Sequence, residues 1–129
     1  MEVNKPIYRS YWLVVAWALV ILGLHILPSE NIPKPPDWNI SFDKIVHFIL
    51  FAVLSFLLLA IGSQYKKQNN ASTFLLIALI SIIYGALMES VQILVPGREF
   101  HLLDLLADTM GVIAGLIGYW GFVMLRSPR

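Results

Sequence analysis

The sequence predicts an all-α integral membrane protein: a bundle of four transmembrane helices with both termini on the cytoplasmic side. Three observations predict it. Of the 129 residues, 58% are hydrophobic and 13% charged, and the mean hydropathy is +0.75. A soluble domain averages about 45–50% apolar and about 25% charged, and a small one needs polar groups to cover its large relative surface. Four apolar runs approach the ~20 residues needed to cross a bilayer. Lysine and arginine are shared unevenly between the two sides that those runs define.

The first run, residues 11–27, is ended by Pro28. Lys5 and Arg9 precede it, as basic residues precede the apolar core of a signal peptide. The run exceeds the roughly 7–15 residues of such a core, and no small-x-small cleavage site follows, so it is read as a retained helix. The second run, 45–62, closes on Gly62. The third, 73–95, is ended by Pro96 and Gly97, and the fourth, 105–125, is followed by Arg126, Ser127 and Pro128. Proline cannot continue a helical hydrogen-bond ladder, which makes these boundaries natural. The segments LVVAWALVILGL and FLLIALISII lack the polar face of a helix in a soluble bundle. With no internal repeat and no second domain, residues 1–129 read as one four-helix unit.

Basic residues in short loops favour the cytoplasm. Lys5, Arg9, Lys66, Lys67, Arg126 and Arg129 fall on one side; Lys34, Lys44 and Arg98 fall on the other. Both termini are therefore expected inside, and loops 28–44 and 96–104 outside. Pro28, Pro33, Pro35 and Pro36 predict an extended first outer loop. Trp38 and Phe42 suit the headgroup level, and Trp12, Trp17 and Trp120 suit an aromatic belt or a lipid-facing surface. A net charge of +1, with no basic cluster interleaved with aromatics, gives no sign of a nucleic-acid partner. The absence of cysteine excludes disulfides, thiolate metal sites and a cysteine nucleophile.

Ionisable groups inside a membrane helix are costly, roughly 2.5–3.5 kcal/mol for an acid at the centre, and call for a reason. Asp43 and His47 are four residues apart, Glu89 and Gln92 three, and Asp104 and Asp108 four, so each pair shares a helix face. At 1.5 Å per residue, Glu89 lies about 10 Å below the outer end of its helix. The loop between the third and fourth helices adds Arg98, Glu99 and His101. All these positions fall on the outer side, and the inner halves of helices two to four hold no charged residue. The expectation is an outward-facing polar pocket about a third of the way into the bilayer. Asp104, Asp108, Gly111, Gly115 and Gly118 form one stripe, and Ser81, Gly85, Glu89 and Gln92 another. Small residues let helices approach, so these faces should pack inward. Asp43 and Asp104 also stand where they can cap helices two and four. His25 reads as an interfacial residue, and Glu99 and His101 as solvated loop residues.

The stretch from Asp43 to Phe48, DKIVHF, resembles the first motif of the VanZ-like membrane proteins. Tyr84-Gly85, Glu89, Gln92 and Pro96-Gly97-Arg98 resemble the second. Asp104, Asp108, Gly111 and Gly115 resemble the third. One departure stands out: the family usually carries asparagine where this chain has Asp108. The resemblance implies a multi-pass protein of the bacterial cytoplasmic membrane. It also implies a tie to the cell envelope, since the family takes its name from a protein linked to resistance to the glycopeptide teicoplanin.

Three functions fit the polar cluster. The first is recognition of an anionic membrane lipid or lipid-linked cell-wall precursor. Arg98 would hold phosphate or carboxylate, the N-terminus of helix four would assist, and Asp43, Gln92, Asp104 and Asp108 would contact the head group. The second is an intramembrane hydrolase or transferase with His47 and Glu89 as an acid–base pair and Asp43 orienting the imidazole. In a variant of that reading, His47, Glu89, Asp104 and Asp108 hold a divalent metal. The third is an accessory subunit whose polar cluster locks the bundle. Neither the ligand nor the oligomeric state is legible from the sequence.

Overall fold

A computed structural model describes residues 8–31, 42–66 and 71–126. It has four helices: α1 (Tyr8–Ile26), α2 (Phe42–Lys66), α3 (Ala71–Gln92) and α4 (Leu102–Arg126). The described residues contain no strand. A single 3₁₀ turn, Ser29–Asn31, follows α1. Pro33, Pro35, Pro36 and Trp38, which carried the expectation of an extended outer loop, lie outside the described residues.

Three helices are long and apolar enough to cross a membrane, and the apolar part of α1, Tyr11–Ile26, is shorter. At 1.5 Å per residue, α2 and α4 reach about 38 Å, α3 about 33 Å and α1 about 28 Å. The hydrocarbon core they must cross is about 30 Å thick. The boundaries differ from expectation at both ends; at the inner end α1 starts at Tyr8 instead of residue 11 and α2 runs to Lys66 instead of Gly62. At the outer end α2 begins at Phe42 and α4 at Leu102, each with an acid in its first turn, Asp43 or Asp104, which the helix N-terminus favours. α3 stops at Gln92 instead of Val95. The chain there tightens into turns, with the N–H groups of Ile93, Leu94 and Val95 donating to the carbonyls three residues before them. Gly97, at φ 76°, then reverses its course.

α2 is the central helix, touching all three others, and its contact with α4 is the most extensive in the molecule. The cause is the absence of side chains at two positions. A Cβ at Gly111 would collide with the carbonyl of Phe48, and one at Gly115 with the carbonyl of Ala52 and the hydroxyl of Ser55. The backbones approach so closely that Ser55 Oγ donates to the carbonyl of Val112 across the interface at 3.0 Å. Gly118, expected on the same stripe, has nothing near it. The buried face passes instead through Leu116 and Tyr119.

α1 packs on α2 and α3, and its backbone has no close approach to that of α4. Two hydrogen bonds hold it: Trp17 Nε1 donates to the carbonyl of Leu50 at 2.9 Å, and the Tyr84 hydroxyl to the carbonyl of Ala18 at 2.7 Å. Trp17 is thus an inward-facing tie and not a lipid-facing residue, since a buried indole N–H needs an acceptor. Trp12 and Trp120 are exposed, as expected. The interior is built on Ile21, Phe51, Leu59 and Val112, and the periphery carries bare Leu13, Leu75, Ile83, Met110 and Ile117. So much exposed apolar surface suits acyl chains as solvent. The ends of α1 and α3 and the starts of α2 and α4 meet at one end of the bundle.

Candidate functional site

At that end, four buried side chains from four different helices converge: His25 (α1), His47 (α2), Glu89 (α3) and Asp108 (α4). Their exposures are 2%, 4%, 0% and 0%, so they form a sealed interior cluster and not the open pocket expected. Helix periodicity explains the convergence. On α3, Ser81, Gly85, Glu89 and Gln92 are all buried on one face, and on α4 Asp104 and Asp108 lead into Gly111 and Gly115.

His47 is bonded to Asp108, with Nδ1 2.9 Å from Oδ1. The expected orienting partner, Asp43, plays a different part. Its side chain is 54% exposed, and its ion pair is with Lys44 at 4.0 Å. The physical reason is that Asp43 lies on the first turn of α2, at the rim, while Asp108 reaches His47 from the facing helix. The same carboxylate is accommodated by a glycine: a Cβ on Gly85 would sit 3.1 Å from Asp108 Oδ2.

Glu89 lies between the two histidines. Its Oε1 is 3.6 Å from His47 Nδ1 and 3.7 Å from His25 Nε2, and the two imidazole rings stand edge to face with centroids 5.0 Å apart. The second carboxylate oxygen accepts a long hydrogen bond, 3.4 Å, from the backbone N–H of His101. The side chains of Glu99 and His101 are exposed, as expected. The main chain of the loop nevertheless closes over the cluster.

His25 joins the cluster instead of sitting at the interface. Its Nδ1 is 2.7 Å from the carbonyl of Ile21, one turn back. An N–H on Nδ1 donates there and leaves the Nε2 lone pair facing Glu89. No polar side chain on its own helix announces this role, because its side-chain partners, His47 and Glu89, are on other helices. The one usable signal was topological: the end of the first helix lies on the same side as the other polar residues.

Around this core the remaining candidates divide. Gln92 is buried one turn beyond Glu89. Asp104 is also buried but turns to the rim, where its Oδ1 accepts from Lys44 Nζ at 2.7 Å. Asp104 therefore groups with Asp43 and His47 at the rim, and not with Glu89 and Asp108 as in the expected metal set. Arg98, the expected anion contact, is occupied otherwise: Nε donates to the carbonyl of Leu27 and Nη2 to that of Leu24, each at 3.1 Å. It satisfies carbonyls left open at the C-terminal end of α1, where a cation is favoured.

Three atoms of the cluster have no hydrogen-bond partner: His25 Nε2, Glu89 Oε1 and Asp108 Oδ2. Buried polar atoms are nearly always paired, and those that are not mark chemistry or a missing guest. Here all three are acceptors, assigning the His25 proton to Nδ1. The arrangement suits a guest that donates hydrogen bonds, such as a hydroxyl or an ammonium group, or a metal ion that takes their lone pairs. An open groove does exist, but at the other end, between the start of α3 and the end of α4. It is lined by apolar residues such as Phe74, Ile117 and Trp120.

No curated protein and no solved structure shows significant similarity to the chain. The family model described as VanZ/LLP1 matches residues 5–125, which takes in all four helices and every member of the cluster, and the chain belongs to that family.

Proposed function

We propose that this multi-pass membrane protein acts on the polar head of a membrane lipid or lipid-linked cell-envelope precursor in the bacterial cytoplasmic membrane. The observation that carries the reading is the buried His47–Asp108 bond beside the unpartnered Glu89 oxygen. An imidazole oriented by one carboxylate, with a second carboxylate in reach, is an arrangement for moving a proton. Its members lie about 2–9 Å from the helix ends, near the level where head groups meet acyl chains.

Acid–base handling of a donor group fits this cluster better than anion binding. Its free atoms are acceptors, Arg98 is engaged with α1, and Lys44 is paired with Asp104. A phosphate would lie at the rim, and a hydroxyl, amide or amine of the head group would reach the free acceptors with the main chain at His101 displaced. His47 would take or return the proton, Asp108 would hold the imidazole, and Glu89 would be the complementary base. On this reading a tie to glycopeptide resistance, which the resemblance implies, would follow from altering the precursor that the drug recognises.

The test is a lipid profile by mass spectrometry of cells expressing wild type or Glu89→Gln. The expected result is a lipid or lipid-linked precursor whose abundance changes with wild type and not with the variant. Identical profiles from wild type, variant and empty cells would overturn the reading.

A further inference from the structure

We infer that His25, His47 and Glu89 form an intramembrane site for a divalent transition metal ion of the zinc type, with Asp108 beside it. The site coincides with the one proposed above but does not depend on its acid–base role. A cation there is argued from charge, geometry and tautomer.

Glu89 and Asp108 are two fully buried carboxylates with no lysine or arginine bonded to either among the described residues. Buried charge without a counter-charge is costly, and a divalent cation would cancel both at once. The donor atoms already stand near the corners of a coordination shell. With bonds of about 2.0–2.1 Å, neighbouring ligands in a tetrahedral complex lie about 3.3 Å apart. Here His25 Nε2 and Glu89 Oε1 are 3.7 Å apart, Glu89 Oε1 and His47 Nδ1 3.6 Å, and His47 Nδ1 and Asp108 Oδ1 2.9 Å. The two separations to Glu89 Oε1 exceed the ideal value by a few tenths of an ångström, and Asp108 stands outside this three-residue set, bonded to His47. The ligand atoms of His25, His47 and Glu89 all lie within 4.8 Å of one another.

The tautomer agrees. His25 donates from Nδ1 to the carbonyl of Ile21, the kind of outer hydrogen bond that fixes a metal-ligating histidine and directs Nε2 at the ion. That Nε2 is buried and unpartnered, as is Glu89 Oε1. The metal would replace the proton between His47 Nδ1 and Asp108 Oδ1, so binding releases one proton from that pair. Two imidazoles and one carboxylate are a donor set for zinc, with a fourth position open, rather than for calcium, which takes oxygen alone. A second group, Asp43, His47 and Asp104, lies at the rim, but the Lys44 ammonium already supplies the cation there.

The experiment is elemental analysis of the full-length protein purified in mild detergent without chelators, followed by titration with Co²⁺ read by visible absorption. The expected result is one metal ion per chain, or one equivalent of Co²⁺ with the intense bands of a four-coordinate site. His25→Gln and Glu89→Gln should each weaken Co²⁺ binding by about 100-fold or more, and Glu99→Gln should bind as wild type does. Wild type that holds no metal and gives no Co²⁺ bands overturns the site, whatever the variants do. So does a His25→Gln variant that elutes as wild type and binds Co²⁺ equally well. Metal content and lipid profile are separate readouts, so a metal-free protein that still changes the lipid profile would sink the metal and keep the acid–base reading.

Discussion

His47 has two buried carboxylates within reach and bonds one of them, and Asp108 and Glu89 consequently differ in what they can do. Asp108 is the positioning residue. Asp108→Asn keeps an oxygen to accept from His47, so the fold should survive with little loss of thermal stability. Asp108→Ala leaves the imidazole unpartnered in the interior and should cost about 1–3 kcal/mol, read as a lower Tm in detergent. Equal stability of the two variants would show that the 2.9 Å bond has no structural role. The sequence made His47, Glu89 and Asp108 legible because each has a polar neighbour one turn away on its own helix. It hid the bond between them, since nothing in spacing says which carboxylate of a facing helix reaches a ring. His25 was hidden more deeply, as an isolated histidine with no such neighbour.

Helices dock here where side chains are absent. Gly111→Ala and Gly115→Ala would force a methyl into the backbone of α2, and each should lower stability by about 1–3 kcal/mol. Gly118→Ala meets nothing and should change the Tm little in either direction. If all three behave alike, the close approach of α2 and α4 is not what holds the bundle. The small-residue stripe was readable from the sequence as far as Gly115. The continuation to Gly118 failed because the interface passes to Leu116 and Tyr119. Arg98 belongs to this scale too. It ties the loop after α3 to the end of α1, so Arg98→Gln should fray that end. The expected sign is faster amide exchange over residues 22–27 with the centre of α2 unchanged. Unaltered exchange would mean that the guanidinium is free for a ligand. A loop arginine is easy to find in a sequence, but its two acceptors lie more than 70 residues earlier and come into view only in the folded chain.

Over the whole molecule, the number of helices and the end at which the polar residues gather were both legible, because run length and charge placement decide them. That the cluster would be sealed was not, because closure depends on α1 and on the loop backbone at His101. Sidedness is a further expectation of the basic-residue bias. A membrane-impermeant thiol reagent applied to intact cells should label Leu94→Cys, at the polar end, and should reach Ala71→Cys only after permeabilisation; the reverse pattern would turn the site to the cytoplasm. The central claim is that the buried cluster serves a guest and does not merely lock the bundle. Native mass spectrometry of the detergent-extracted protein, wild type beside Glu89→Gln, tests it most directly. The account expects wild type to carry a bound lipid, precursor or metal mass that the folded variant lacks. A bare protein in both samples, with the variant as stable as wild type, would contradict it.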